Sequence, residues 1–343
     1  MRSAPVVLSL LIASSVVVAC SGEQEAESRE VVLYTSMPDA VVDRLEGVIE
    51  REFPDLDDNF WVSLAGGISL RVVRGRTADI QERIANEIAA GDIQADVIWL
   101  AEPSPYEIYK DLGLLARYEP PPGAPIPASY VDADGFYVAG RIIAMVVAWN
   151  TSLRSDGLTD WPDLHEVARS AFPGPDSGAA RATIKALVDT YGGDYFTNLA
   201  TAGGVSVASN GAARDGVVDG TFEAVAVLDY MAREAKAAGS EIDFVYPASG
   251  TVLIPSPIAI TATAHNPVAA RSVVDFILSE SGQKIMVQIG NFYPVRTDVA
   301  PPEGAPSLES IAAFEVDWRS LGEELDAISA LWESLYATSP GSS

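Results

Sequence analysis

Short runs of β-branched and apolar residues alternate with stretches of helical period along most of this chain, which confines it to sheets covered by helices. Residues 31–34, 60–64, 95–100, 203–208, 224–229, 241–246 and 256–264 read as strands, and 136–149 as a longer extended run broken at Gly140. Between them, 39–53, 77–90, 103–110, 162–169, 179–191, 212–219 and 230–239 read as helices. Residues 68–76 fit either strand or loop, 267–290 carry one continuous helical pattern, and 307–336 form a helical tail. The expected fold is therefore α/β with two lobes, each a largely parallel sheet flanked by helices. Extended hinge crossings near 136–140 and 252–257 join them. Residues 31–138 with 256–300 are assigned to one lobe and 139–255 to the other, while the helices within 301–343 are assigned to neither.

Length supports two lobes, because about 310 residues remain for folding once the apolar N-terminal stretch and the polar segment after it are set aside, more than one core usually holds. That stretch places Arg2 before an apolar run over 6–19 and ends on Ala19 and Cys20. It reads as an export signal over 1–20, too short to cross a bilayer comfortably. Cys20 is the one cysteine of the chain, so no disulfide is open to it within the chain. Val17-Val18-Ala19-Cys20 looks like a bacterial lipobox, in which the cysteine becomes the lipidated first residue. The alternative is a plain signal that happens to contain a cysteine. Residues 21–30 would then be a tether, and lipid the one membrane attachment.

The net charge of −26, from 48 acidic against 22 basic residues, argues against a nucleic-acid partner. No phosphate-binding Gly-Lys-Ser/Thr loop, zinc-protease helix, nucleophile elbow or spaced Cys/His cluster occurs, so no cofactor or catalytic set is expected. His165 and His265 sit in helix-start contexts and read as structural. Several strand-to-helix turns carry small polar residues: Thr35-Ser36, Arg76-Thr77, Glu102, Ser177-Gly178-Ala179, Ser209-Asn210 and Asp229-Tyr230. Helix N-termini attract anions through their unpaired N–H groups. Gly178 would let a ligand approach the backbone, and Arg76 could grip a phosphate or carboxylate. Each turn taken alone is an ordinary cap. Together, on a two-lobed frame, they make a ligand cleft.

Ala95-Asp96-Val97-Ile98-Trp99, Val147-Ala148-Trp149-Asn150-Thr151, His265-Asn266-Pro267 and the helix carrying Leu278-Ser279 and Gly282-Gln283 carry a resemblance. The chain resembles ABC-transporter solute-binding proteins of the two-lobed periplasmic-binding class, in the branch of ferric-ion and phosphonate or sugar-phosphate binders. The resemblance runs from Val31 to about Arg296. It implies a monomeric receptor that captures a small solute between its lobes and hands it to a permease and its ATPase. Ferric binders of the branch place two adjacent tyrosines where this chain has Asp229-Tyr230. The resemblance therefore implies an organophosphate or phosphonate ligand, with ferric iron held by Tyr230, Asp229 and Glu102 as the alternative. The chain's large acidic excess points mildly towards a cation, but the groups nearest a ligand outweigh screened surface charge. A secreted hydrolase on the same fold is a remote third reading.

Overall fold

The structure is a computed structural model and describes residues 30–39, 41–42 and 69–336. The export signal with Cys20, most of the tether, the body of the helix over 39–53 and the strand over 60–64 lie outside the described residues. Nine strands form one sheet among the described residues, eight of them on one continuous path. They are β1 (Glu30–Thr35), β2 (Ser69–Arg74), β3 (Val97–Trp99), β4 (Val138–Asn150), β5 (Ser170–Pro173), β6 (Val205–Val207), β7 (Ala224–Leu228), β8 (Ile242–Val245) and β9 (Leu253–Ile260).

Their order is β2-β1-β3-β9-β4-β7-β5-β6, with β8 also on β4. Pairing is parallel in the outer parts, β1 with β2 and β3, and β5 with β6 and β7. It is antiparallel wherever β4 or β9 takes part. The long strand β4 is shared by both lobes. Val138–Ala144 pairs with β9, and Met145–Asn150 pairs with β7 and β8.

The helices are α1 (Thr77–Ala90), α2 (Ser104–Asp111), α3 (Gly178–Tyr191), α4 (Asp194–Thr201), α5 (Asn210–Val218), α6 (Asp229–Ala237), α7 (Pro267–Ile277), α8 (Glu280–Gly290), α9 (Trp318–Glu323) and α10 (Leu325–Tyr336). Half of them start on side-chain caps: Ser177, Ser209, Asn266, Ser279 and Asp317 each accept a backbone N–H of the first turn. None of the described helices is long and apolar enough to cross a membrane.

Several expected elements differ. The single pattern over 267–290 is two helices, because Ser279 caps a new one after Leu278. The apolar period survives the break, so periodicity alone could not show it. The helix expected over 162–169 is a 3-10 turn, Trp161–Glu166, followed by the short buried strand β5, too short to show alternation. Helix α4 was not expected at all. Strand β9 starts at Leu253 rather than residue 256, since Pro255 and Pro257 read as breakers but lie beside a bulge in β4 where the ladder is already interrupted. The tail divides between the lobes: α9 packs on α2, and α10 packs on α3 and α4. There Trp332 meets the rings of Phe172 and Phe196 at 5.9 and 5.3 Å.

Candidate functional site

The site begins with an irregularity in β4. Gly140 is the extra residue between Ala139, opposite Pro257, and Arg141, opposite Ser256. A Cβ on Gly140 would lie 2.8 Å from the Trp99 ring, so only glycine fits there. The bulge re-aims the next side chain. Arg141 enters the space between the Phe292 and Trp99 rings, 4.2 and 5.7 Å from its guanidinium carbon. It is 2% exposed, yet among the described residues its one hydrogen bond donates Nε to Ser256 Oγ at 3.3 Å, and Nη1 has no partner there. Burial lowers its pKa from the ordinary guanidinium range to about 10, and the neighbouring Tyr230 only partly offsets this. A buried guanidinium without a carboxylate is costly, and an anionic ligand would relieve it.

Arg141 lines a cavity of about 370 Å³. Four helices start at its wall: α1 with Arg76 and Thr77, α3 with Ser177 and Ala179, α5 with Ser209, Asn210 and Gly211, and α6 with Tyr230 and Met231. Their first N–H groups give the wall a partial positive charge. Two further buried acceptors or donors on this wall lack partners, Ser36 Oγ and Asn210 Oδ1. Three more arginines reach the cavity, and each has a carboxylate. Arg74 pairs with Asp39, Arg76 with Asp79 at 2.9 Å and Asp176 at 2.7 Å, and Arg214 with Asp215 at 2.6 Å. Among the described residues, Arg141 is the cavity cation left without a carboxylate.

Of the residues expected at the site, Ser36, Arg76, Thr77, Ser177, Ala179, Ser209, Asn210 and Tyr230 line this cavity. Ser177 Oγ accepts from Asn210 Nδ2 at 2.8 Å, which ties the α3 and α5 starts together. Burial comes first in raising the Tyr230 phenol well above its usual range, with Glu234 and Asp229 adding to it.

The other four face elsewhere. Thr35 donates to the Trp99 carbonyl at 2.9 Å and shapes the turn. Glu102 accepts from the N–H and hydroxyl of Ser104 at 2.6 and 3.0 Å and pairs with Arg181 at 3.2 Å. Asp229 accepts from Ala144 N, Arg233 and Tyr246 at 3.1, 2.6 and 3.0 Å. Gly178 approaches Glu102, Thr77 and Ala101 of the opposite lobe rather than the cavity. The carboxylates of the ferric set, Glu102 and Asp229, are thus committed to arginines and do not converge with Tyr230. Among the described residues no group of three His, Cys, Asp or Glu could hold a metal ion.

Sequence reading missed Arg141, Arg74 and Arg214. Arg141 did leave a signal: it is the one charged residue in a thirteen-residue, wholly buried strand. Arginine is rarely buried without a partner.

The model of the bacterial extracellular solute-binding protein family matches residues 64–313, well over half of the chain. The chain belongs to this family. No curated protein sequence matches it. Among solved structures it is similar to iron-bound HitA from Pseudomonas aeruginosa, with 21% identity and a TM-score of 0.73 over 89% of this chain and 99% of that one. It is equally similar to the periplasmic binding protein AfuA from Actinobacillus pleuropneumoniae with exogenous fructose-6-phosphate bound, at 19% identity and a TM-score of 0.76 over 90% and 99%. The ferric binding protein from Campylobacter jejuni follows at 16% and 0.70, over 89% and 99%. At these identities the likeness is one of fold. This family member is a bacterial extracellular solute-binding protein.

Proposed function

We propose that this receptor captures a small organic anion carrying a phosphate or phosphonate group in the cavity between its lobes. The observation that carries the reading is the unmatched, buried guanidinium of Arg141 on a wall built from four helix N-termini. A bare Fe³⁺ ion would meet that cation, while Glu102 and Asp229, the carboxylates of the ferric set, are already held by Arg181 and Arg233. The charged head of the ligand sits against Arg141, Ser36 and Asn210. The rim arginines already have carboxylates, so the remainder of the ligand can be neutral and polar. Contacts from both lobes favour the closed form, which docks on the permease.

A thermal-shift comparison of fructose 6-phosphate, inorganic phosphate and ferric citrate tests this. A ligand at 100 times its Kd should stabilise by about 2.7 kcal/mol. A raised midpoint with the phosphate compounds is expected. A shift with ferric citrate alone, reversed by a chelator, would overturn the ligand class. Anchoring through a lipid on Cys20 belongs to the same proposal, and a Cys20→Ser chain is expected in the soluble fraction. Continued membrane association of that variant would sink the anchor.

A further inference from the structure

A second buried arginine joins the lobes without touching the cavity. Arg181, on α3, is 5% exposed and places Nε 3.2 Å from Glu102 Oε1, close enough for an ion pair but not aligned for a hydrogen bond. Its Nη2 donates to Gln81 Oε1 on α1 at 2.6 Å. Glu102 is fully buried just before α2, and Gln81 lies one turn into α1, so both partners belong to the lobe of β1–β3 while Arg181 belongs to the lobe of β5–β7. The seam continues beside this pair. Arg76 Nη1 donates to Asp176 at 2.7 Å, and the N–H of Ala78 donates to the Asp176 carbonyl at 3.3 Å. At Gly178 the backbone of α3 sits so close that a Cβ would be 2.9 Å from Glu102 Cγ and 3.1 Å from Thr77 Oγ1.

We propose that Arg181 is a positioning residue that latches the lobes shut on Glu102 and Gln81 before any ligand arrives. None of these three groups lines the cavity, yet α1 and α3 both start at it. Holding them together sets the spacing of Thr77 and Ser177 that a ligand meets. The pair is costly to separate, because opening leaves Glu102 with only the Ser104 donors and returns Arg181 to water. The latch thus raises the closed fraction of the empty receptor, and a ligand's apparent affinity scales with that fraction. The inference rests on the two-lobed receptor reading but not on the identity of its ligand.

The test uses empty protein. In the full chain carrying Cys20→Ser, spin labels at Val268→Cys and Leu153→Cys, both exposed and one on each lobe, report the interlobe distance. Two latch variants are compared with the parent. Glu102→Gln with Arg181→Met removes both charges together, so neither is left buried alone. Gly178→Ala leaves every charge in place and inserts a methyl wedge at a position where alanine suits the helix. The parent should show mainly one short distance, and each variant should raise the ratio of long to short by about tenfold. Should the double variant fail to fold, Gly178→Ala alone decides. Coincident distributions in parent and folded variants, whether all short or all long, overturn the latch. Because no ligand is present, that failure is separate from any failure of the phosphate reading.

Discussion

Arg233 and Arg141 are both buried, 6% and 2% exposed, and both lie against aromatic rings of the same loop, Tyr293 and Phe292. Their surroundings then diverge. Arg233 donates to Asp229 at 2.6 Å, to Tyr246 at 2.7 Å and to the Asn291 carbonyl at 2.6 Å. Burial alone would lower its pKa, but the Asp229 carboxylate and its neighbours more than offset this and raise it. Arg141 has a serine hydroxyl and two rings, and its pKa falls. Among the described residues three arginines are buried; Arg233 and Arg181 each meet a carboxylate, and Arg141 does not. Arg233 braces the hinge, since Asp229 also accepts from Ala144 at the point where β4 changes partners. Arg141 faces the cavity, where the proposed anion would complete it.

The comparison breaks most sharply through substitution of each arginine by methionine. Arg233→Met leaves Asp229 buried without its cation and should cost about 3–5 kcal/mol, read by urea unfolding. An unchanged midpoint would show that the hinge cluster contributes nothing. Arg141→Met should do the reverse: equal or higher stability of the empty protein, and a loss of phosphate-ester affinity on the order of 100-fold by calorimetry. Retained affinity would remove Arg141 from the site. The smallest effect comes from pH. The folded pKa of Arg141, about 10, lies below the ordinary guanidinium range, so the buried charge is present throughout the neutral range and is lost as pH rises through 10. Phosphate-ester affinity should stay level from pH 8 to 9 and fall about fourfold by pH 10.5. As pH rises above 10 this group alone should raise stability, since the unfolded chain still binds the extra proton there. An affinity that stays level through pH 10.5 would mean that the anion does not need the Arg141 charge.

Much of the frame was legible from residues alone. Alternating periods in 77–110 and 179–239 revealed strands and helices because each buries one face. Ser177 and Ser209 were readable as helix starts at the cleft because capping is a local interaction. Asp229 and Glu102 looked like ligands for the same local reason, each standing at a strand-to-helix turn. Their partners Arg233 and Arg181 decide otherwise. Arg181 lies 79 positions from Glu102 in sequence, at a separation only the folded chain closes.

The sequence by itself determined the α/β class, the helix starts that ring the cavity and the excess of surface carboxylates, all consequences of local period, capping and composition. Tertiary structure alone decided which charges meet across elements. A carboxylate's role depends on the cation within about 4 Å of it, and between elements such a distance is set by how strands and lobes pack. Packing matched Glu102 with Arg181 and Asp39 with Arg74, whereas Asp229 meets Arg233 one turn along its own helix. It left Arg141, re-aimed by a bulge at Gly140, as the buried cation that faces the cavity unmatched.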